Sequence, residues 1–202
     1  MLLNRIEKAL MNNPIRSTLQ RHVEARWLLE MGGPIQGGTA LEVGCGRGVG
    51  TQLILDTFGA GRVDAFDLDS HMVELARERL AHEPNRVRLW VGDAARIEAP
   101  DATYDAVFDF AIIHHVPDWR AALREVYRVL KPGGRFYAEE VLRAFILHPV
   151  IRQVLEHPLE DRFDHAGFRL ALQQQGLRGV ADRELAGSFG WYVAEKPRTA
   201  TS

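Results

Sequence analysis

The fold of this chain is decided by the stretch Ala40-Leu41-Glu42-Val43-Gly44-Cys45-Gly46-Arg47-Gly48-Val49-Gly50-Thr51. Its apolar start, residues 40–43, predicts a short buried strand, and the alternating glycines predict a tight turn that leads into a helix. A strand, a glycine turn and a helix in this order bring backbone amides close to a nucleotide-like ligand at the carboxyl end of the strand. The segment therefore predicts a ligand site as well as a fold.

The spacing of the glycines excludes two nucleotide-binding classes. A dinucleotide fingerprint needs glycines at relative positions 1, 3 and 6. Counting from Gly44 puts Val49 at the sixth position, and counting from Gly46 puts Thr51 there. A P-loop needs Gly-Lys-Ser/Thr after the turn, and that sequence is absent. What remains is a Gly-x-Gly-x-Gly turn preceded by an acid, Glu42.

Composition indicates a soluble globular protein. The 202 residues suit a single domain, and the contents of 46% hydrophobic and 26% charged residues are ordinary. A net charge of -2 disfavours a general nucleic-acid binder, which would usually be basic. The single Cys45 cannot form an internal disulfide, which suits the cytoplasm. Charges interrupt the first 31 residues, so we expect neither a signal peptide nor a membrane segment.

Strands and helices alternate after the glycine turn. This alternation predicts a parallel sheet with helices on both faces. Ser70 and Asp118 are the predicted N-caps of two of the helices. Near the end of the chain, two strand-like runs separated by Ala186-Gly187-Ser188 predict an antiparallel hairpin. The predicted strands after the first are residues 63–68, 87–91, 105–110, 135–141, 179–185 and 189–195.

Glu42 and its three alternating glycines resemble motif I of the class I S-adenosylmethionine-dependent methyltransferases, and the chain looks like their type 11, small-molecule group. The resemblance covers residues 39–141 and extends less specifically to the terminal hairpin. It implies a Rossmann-like α/β fold. The implied sheet has seven strands in the order 3-2-1-4-5-7-6, with β7 antiparallel and helices on both faces.

The resemblance implies S-adenosyl-L-methionine as cofactor and S-adenosyl-L-homocysteine as product. The glycine turn would admit the methionine and ribose portions, because side chains would collide there. Asp67 follows Gly44 by 23 residues and would accept both ribose hydroxyls, with Asp69 as its rival. The family pattern gives Asp93 and Ala94 to the adenine edge. The predicted cofactor residues are Glu42, Gly44, Cys45, Gly46, Gly48, Asp67, Leu68, Asp93, Ala94 and Phe110.

Three residues after or within the fourth strand are candidate proton acceptors. His114 and His115 are candidates because a histidine side chain ordinarily changes charge near neutral pH, but paired histidines can equally serve packing. Asp109 stands where the family more commonly has a small polar residue. No set of Cys, His and carboxylate residues has the spacing of metal ligands, so no metal is expected. Cys45 is interpreted as a small filler between glycines.

The chain is expected to form one domain in four segments: a helical cap and linker (1–38), the cofactor core (39–141), a substrate-cap insertion (142–164), and a terminal helix with hairpin (165–197). Cap residues that would contact substrate are Arg16, Arg21, His157 and Arg162, although a solvated charged face explains them equally well.

The leading functional hypothesis is methyl transfer to an oxygen, nitrogen, carbon or sulfur atom of a small molecule, by a monomer or homodimer without membrane association. The short insertion disfavours a large partner such as RNA or protein. No Asn-Pro-Pro-Tyr-like element follows the fourth strand, where residues 109–112 read Asp-Phe-Ala-Ile. The alternatives are an RNA or protein methyltransferase and a non-catalytic module that binds the cofactor.

Overall fold

The computed structural model describes residues 25–149, 151 and 161–198. The strands are β1 (Thr39–Val43), β2 (Arg62–Asp67), β3 (Val87–Val91), β4 (Tyr104–Phe110), β5 (Leu130–Val141), β6 (Arg178–Leu185) and β7 (Phe189–Glu195). The helices are α1 (Ala25–Gly32), α2 (Val49–Asp56), α3 (Ser70–Arg79), α4 (Trp119–Val129), α5 (Arg143–Ile146) and α6 (His165–Gln174). A 3₁₀ turn, Ile113–His115, follows β4.

The strands form one seven-stranded sheet in the order β3-β2-β1-β4-β5-β7-β6. The first five strands are parallel, and β7 runs antiparallel to both β5 and β6. This confirms the predicted fold class, strand order and antiparallel β7. At the centre, Val43 of β1 lies beside Phe66 of β2 on one side and Asp109 of β4 on the other. The carboxyl ends of these strands therefore meet at one edge.

Two apolar clusters cover the two faces of the sheet, as the near-continuous hydrophobic strands require. On one face, Leu123 of α4 and Phe168 of α6 pack with Val107 of β4. On the other face, Leu53 of α2 packs in a cluster with Phe58 and Phe108. Because helices cover both faces, each polar side chain that is buried in the interior needs a local structural explanation.

Three of the described helices begin at aspartates that accept backbone hydrogen bonds, namely Asp69, Asp118 and Asp164. Asp118 caps α4, where its carboxylate accepts a hydrogen bond from the Ala121 amide at 2.9 Å, as predicted. The predicted Ser70 cap is wrong by one residue, because Asp69 caps α3 through the His71 amide at 3.0 Å. Strand β2 ends at Asp67, so the chain turns early enough for Asp69 to reach the first helical amides.

Strand β5 also starts earlier than predicted, at Leu130 rather than residue 135. In its pairing with β4, Leu130 lies opposite Tyr104, and the next paired residue, Arg135, lies opposite Ala106. Residues 131–134 (Lys-Pro-Gly-Gly) therefore form a bulge inside the strand rather than a loop before it. The Gly133 amide donates a hydrogen bond to the Lys196 carbonyl at 2.7 Å, which ties this bulge to the end of β7.

The predicted cap segments are described only in part. Helix α1 belongs to the N-terminal segment, and α5 opens the 142–164 insertion. Arg16, Arg21 and His157 lie outside the described residues, and Arg162 lies within them. None of the described helices combines the length and apolar character needed to cross a membrane.

Candidate functional site

A cavity of about 460 Å³ lies at the carboxyl ends of β1, β2, β3 and β4. This is the usual ligand position in open α/β sheets, and the volume is typical of small-molecule sites. Nine of the ten predicted cofactor residues line it, the exception being Gly48. Those nine are Glu42, Gly44, Cys45, Gly46, Asp67, Leu68, Asp93, Ala94 and Phe110.

Gly44, Gly46 and Gly48 of the turn all have a positive φ, but their surroundings differ. A Cβ on Gly44 would lie 2.6 Å from Ile112, so this position is closed by packing. A Cβ on Gly48 would lie 2.8 Å from Leu80, next to α3 rather than in the cavity. A Cβ on Gly46 would have no atom within 4 Å. Gly46 is therefore the glycine whose backbone faces open space.

Glu42 lies beneath the turn and is almost fully buried. It accepts a hydrogen bond from the Thr51 hydroxyl. Burial raises its pKa from 4.5 to about 8, with smaller upward contributions from the Asp67 and Asp109 carboxylates and a downward one from the Thr51 hydrogen bond. Gly50 makes room for this side chain, since a Cβ there would lie 2.0 Å from the Glu42 Oε1 atom. Glu42 is thus held protonated at neutral pH.

The Asp67 carboxylate connects β2 to the glycine turn. Its Oδ2 atom accepts a hydrogen bond from the Gly46 amide at 2.9 Å, and its Oδ1 atom accepts one from the Asp69 amide at 2.9 Å. The rival Asp69 uses its own Oδ1 atom to cap α3. Both residues line the cavity, but Asp67 is the one fixed beside the open face of Gly46.

The β2–β3 end of the cavity has one apolar wall and one acid. Leu68 leaves 46% of its surface exposed, an unusual amount for a large apolar side chain beside a cavity. Asp93 accepts a hydrogen bond from the Ala95 amide at 2.9 Å, which shapes the turn after β3. Ala94, the residue after Asp93, is buried. This end of the cavity therefore has an exposed apolar side chain, Leu68, and a carboxylate, Asp93, in its lining.

The structure separates the two adjacent histidines. His115 lines the cavity, as do Phe110 and Ile112. His114 does not line it; its Nδ1 atom lies 2.6 Å from Glu140 Oε2, and its ring centroid lies 4.1 Å from that of His115. His114 is thus held behind His115 by a buried acid.

Asp109 also lies behind the cavity wall, where it faces Glu140. Both side chains are fully buried and hydrogen-bond to each other. Burial and this contact raise the pKa of Asp109 well above its ordinary value, and burial raises that of Glu140 to about 8. Two carboxyl groups in contact cannot both ionise at low cost, so the pair shares a proton.

The carboxyl pair holds the segment after β4 in place. Asp109 accepts a hydrogen bond from the Ile112 amide at 2.9 Å, and Glu140 accepts one from the His114 amide at 3.3 Å. The Arg162 guanidinium donates to the His114 carbonyl from the other side. Sequence analysis missed Glu140; the available signal was an acid inside the apolar end of β5.

Cys45 is buried inside the turn, and burial together with the Glu42 and Asp67 carboxylates raises the pKa of its thiol. The thiolate form is therefore disfavoured, which does not suit a nucleophile.

A protein-family model described as "Methyltransferase domain" matches residues 40–134. A probable S-adenosylmethionine-dependent methyltransferase of Mycolicibacterium smegmatis is 40% identical over 167 residues, 79% of this chain and 63% of that protein. A demethylmenaquinone methyltransferase of Staphylococcus haemolyticus is 35% identical over 119 residues, 58% of this chain and 48% of that protein. The chain thus spans less than two thirds of the length of either relative.

Among solved structures, a methyltransferase in complex with the Haloferax volcanii Trm112 activator has a similar fold. It superposes with a TM-score of 0.79 over 96% of each chain, at 21% identity. At this identity the likeness concerns the fold, and it extends over the complete seven-stranded architecture.

Proposed function

We propose that this chain, which belongs to the class I S-adenosylmethionine-dependent methyltransferases, transfers a methyl group to an oxygen, nitrogen, carbon or sulfur atom of a small molecule. The observation that carries the proposal is the position of Asp67 beside the open backbone of Gly46, at the mouth of a cavity large enough for a small ligand.

The residues of the cavity fit the parts of S-adenosylmethionine. Asp67 would accept hydrogen bonds from the two ribose hydroxyls, and Gly46 leaves room for the chain that joins ribose and sulfur. Leu68 would pack on the adenine, while Asp93 would accept a hydrogen bond from its amino group. When bound, the cofactor supplies a methyl group on a positively charged sulfur, which needs no further activation.

The contribution of the chain would be positioning. Holding a nucleophile in line with a reactive group removes about 7–11 kcal/mol from a barrier. Phe110 and Ile112 give the cavity an apolar wall at the β4 end, where water would be excluded. The ring face of Phe110 suits a positive charge.

An acceptor hydroxyl or a protonated amine would also have to lose a proton. His115 is the candidate base, because among the three predicted catalytic residues it is the one that lines the cavity. His114 and Asp109 would act from behind it, through the contacts with Glu140. A carbon or thiolate acceptor would depend less on such a base.

A small acceptor is favoured over a macromolecule by the printed name of the staphylococcal relative, demethylmenaquinone methyltransferase, which designates a small molecule. A panel of hydroxyl, amine and thiol acceptors identifies the kind of atom that is methylated.

The donor part of the proposal is tested by thermal unfolding and calorimetry with S-adenosylhomocysteine. At one hundred times its dissociation constant the ligand should stabilise the fold by about 2.7 kcal/mol. Asp67→Asn should weaken binding at least tenfold, whereas the control Asp56→Asn, at an exposed residue of α2, should not. Stabilisation by NAD in place of S-adenosylhomocysteine would contradict the proposal.

Methyl transfer to the acceptor panel tests the catalytic part. Transfer from labelled S-adenosylmethionine to any small acceptor supports an enzyme. Tight donor binding with no transfer to the whole panel, but labelling of RNA or protein, would replace the small-molecule proposal by the macromolecular alternative.

A further inference from the structure

The charge around the cavity is one-sided. Among the described residues that line it, the acids are Glu42, Asp67, Asp69, Asp93 and Asp118. Arg47 is the one lysine or arginine in the same set. S-adenosylmethionine carries an ammonium, a sulfonium and a single carboxylate, so its one anionic group has few complementary side chains in this part of the protein.

Arg47 sits inside the glycine turn, between Gly46 and Gly48. Its Nε atom is shielded from solvent, and no acceptor among the described residues contacts it. Within the same described set, its guanidinium forms no ion pair. Arg128 shows the contrast, since that guanidinium donates five hydrogen bonds to side chains and carbonyls. Because Arg47 lines the cavity and its guanidinium has no acceptor among the described residues, the guanidinium is available to an anionic group of a bound ligand.

Three of the acids that line the cavity with Arg47 have hydrogen-bond partners other than its guanidinium. Glu42 lies beneath the turn, bonded to Thr51 and protonated at neutral pH. Asp67 is directed to two backbone amides, and Asp69 caps α3. None of these carboxyl groups lies within ion-pair distance of the Arg47 guanidinium in the described structure.

We propose that Arg47 binds the carboxylate of the amino-acid portion of the cofactor, an assignment that rests on the proposed function. A guanidinium matches a carboxylate in a two-point hydrogen bond. With Asp67 and Leu68 placing ribose and adenine towards β2 and β3, the amino-acid portion falls to the β1 turn, where Arg47 lies. Helix α2 begins two residues later, at Val49, and its first-turn amides add to the positive potential there.

This assignment makes Arg47 a specificity-determining residue for the donor. Arg47 would increase the affinity for ligands that contain the amino-acid portion and would not change the affinity for ligands that lack it. Hydrogen bonds to a charged partner predict a change of about 10- to 100-fold in affinity. S-adenosylhomocysteine has the carboxylate, whereas 5′-methylthioadenosine has the same adenosine and thioether without it.

The experiment is calorimetric titration of the complete chain with both ligands. The variants are Arg47→Gln, Arg47→Lys and the control Arg79→Gln, which removes an exposed arginine from α3. We expect Arg47→Gln to weaken S-adenosylhomocysteine binding about 10- to 100-fold while 5′-methylthioadenosine binds as in the parent. The affinity of Arg47→Lys for S-adenosylhomocysteine should lie between those of the parent and Arg47→Gln, because an ammonium keeps the charge but loses the two-point geometry.

Equal weakening of both ligands would show that Arg47 supports the turn rather than the carboxylate, and unchanged S-adenosylhomocysteine affinity would also overturn the assignment. Binding of 5′-methylthioadenosine reports that the variant site is folded. A parent chain that binds neither ligand would overturn the proposed function itself, and this result differs from every outcome that removes the Arg47 assignment alone.

Discussion

Replacing Glu42 with glutamine should make the stability of the protein less dependent on pH. The Glu42 carboxyl has a pKa of about 8 in the folded chain because it is buried, against 4.5 for an ordinary glutamate. Between these two values, the unfolded state releases the proton and the folded state retains it. The stability that the protonated form contributes is therefore complete below pH 4.5 and is lost as the pH rises through 8.

The size of the effect follows from the displacement of the pKa. Each unit corresponds to about 1.4 kcal/mol, so the free energy of unfolding would fall by roughly 3 kcal/mol between pH 4.5 and pH 7 and by roughly 5 kcal/mol at pH 8. Domains of this kind are stable by only about 5–15 kcal/mol. Glutamine has the shape of the protonated acid, and its carbonyl oxygen can accept the hydrogen bond from Thr51.

The measurement is urea unfolding of the ligand-free protein between pH 5 and pH 8. The stability difference between Glu42→Gln and the parent should be smallest at pH 5 and should grow towards pH 8. Glu78→Gln, at an exposed position of α3, is the control and should parallel the parent. Because Asp109 and Glu140 remain in both proteins, the difference isolates Glu42. Parallel stability curves for Glu42→Gln and the parent would refute the reasoning.

Three further variants test the cavity and the structure behind it. Gly44→Ala should destabilise the fold by about 1–3 kcal/mol, because its Cβ would meet Ile112 at 2.6 Å and its φ is +72°. Gly46→Ala should cost only about 1–2 kcal/mol in urea unfolding yet weaken S-adenosylhomocysteine binding in calorimetry, since its Cβ would project into open space; an unchanged affinity would contradict this. Relative to the parent, Asp109→Asn should be more stable at pH 8 than it is at pH 5, because an amide can donate to Glu140 without a shared proton; a difference from the parent that is equal at every pH would argue against the pair.

Much of the fold could be predicted because its signals are local. Apolar runs punctuated by glycines identify the strands, and the short Ala186-Gly187-Ser188 connection identifies the terminal hairpin. The errors lie where two local signals compete. Asp69 and Ser70 are both good N-caps, and the choice depends on where β2 ends. The start of β5 depends on its pairing with β4, which the sequence of β5 alone does not contain.

The site was predictable where residues follow directly from strand ends, as Asp67 and Asp93 do. It was not predictable where the outcome depends on orientation. His114 and His115 are adjacent in sequence, and the 3₁₀ turn decides which of them lines the cavity. Glu140 acquires its role only because β5 is paired with β4, which places its carboxyl against Asp109.

The ionisable residues at this edge of the sheet fall into two groups with different physical roles. Asp67, Arg47 and His115 line the cavity, so changes in them should alter ligand binding more than stability. Asp109 and Glu140 lie behind it and hold backbone amides of the segment after β4, so changes in them should alter stability and its pH dependence first. A variant of the second group that changed donor affinity without changing stability would mean that the two groups are coupled through the position of His115.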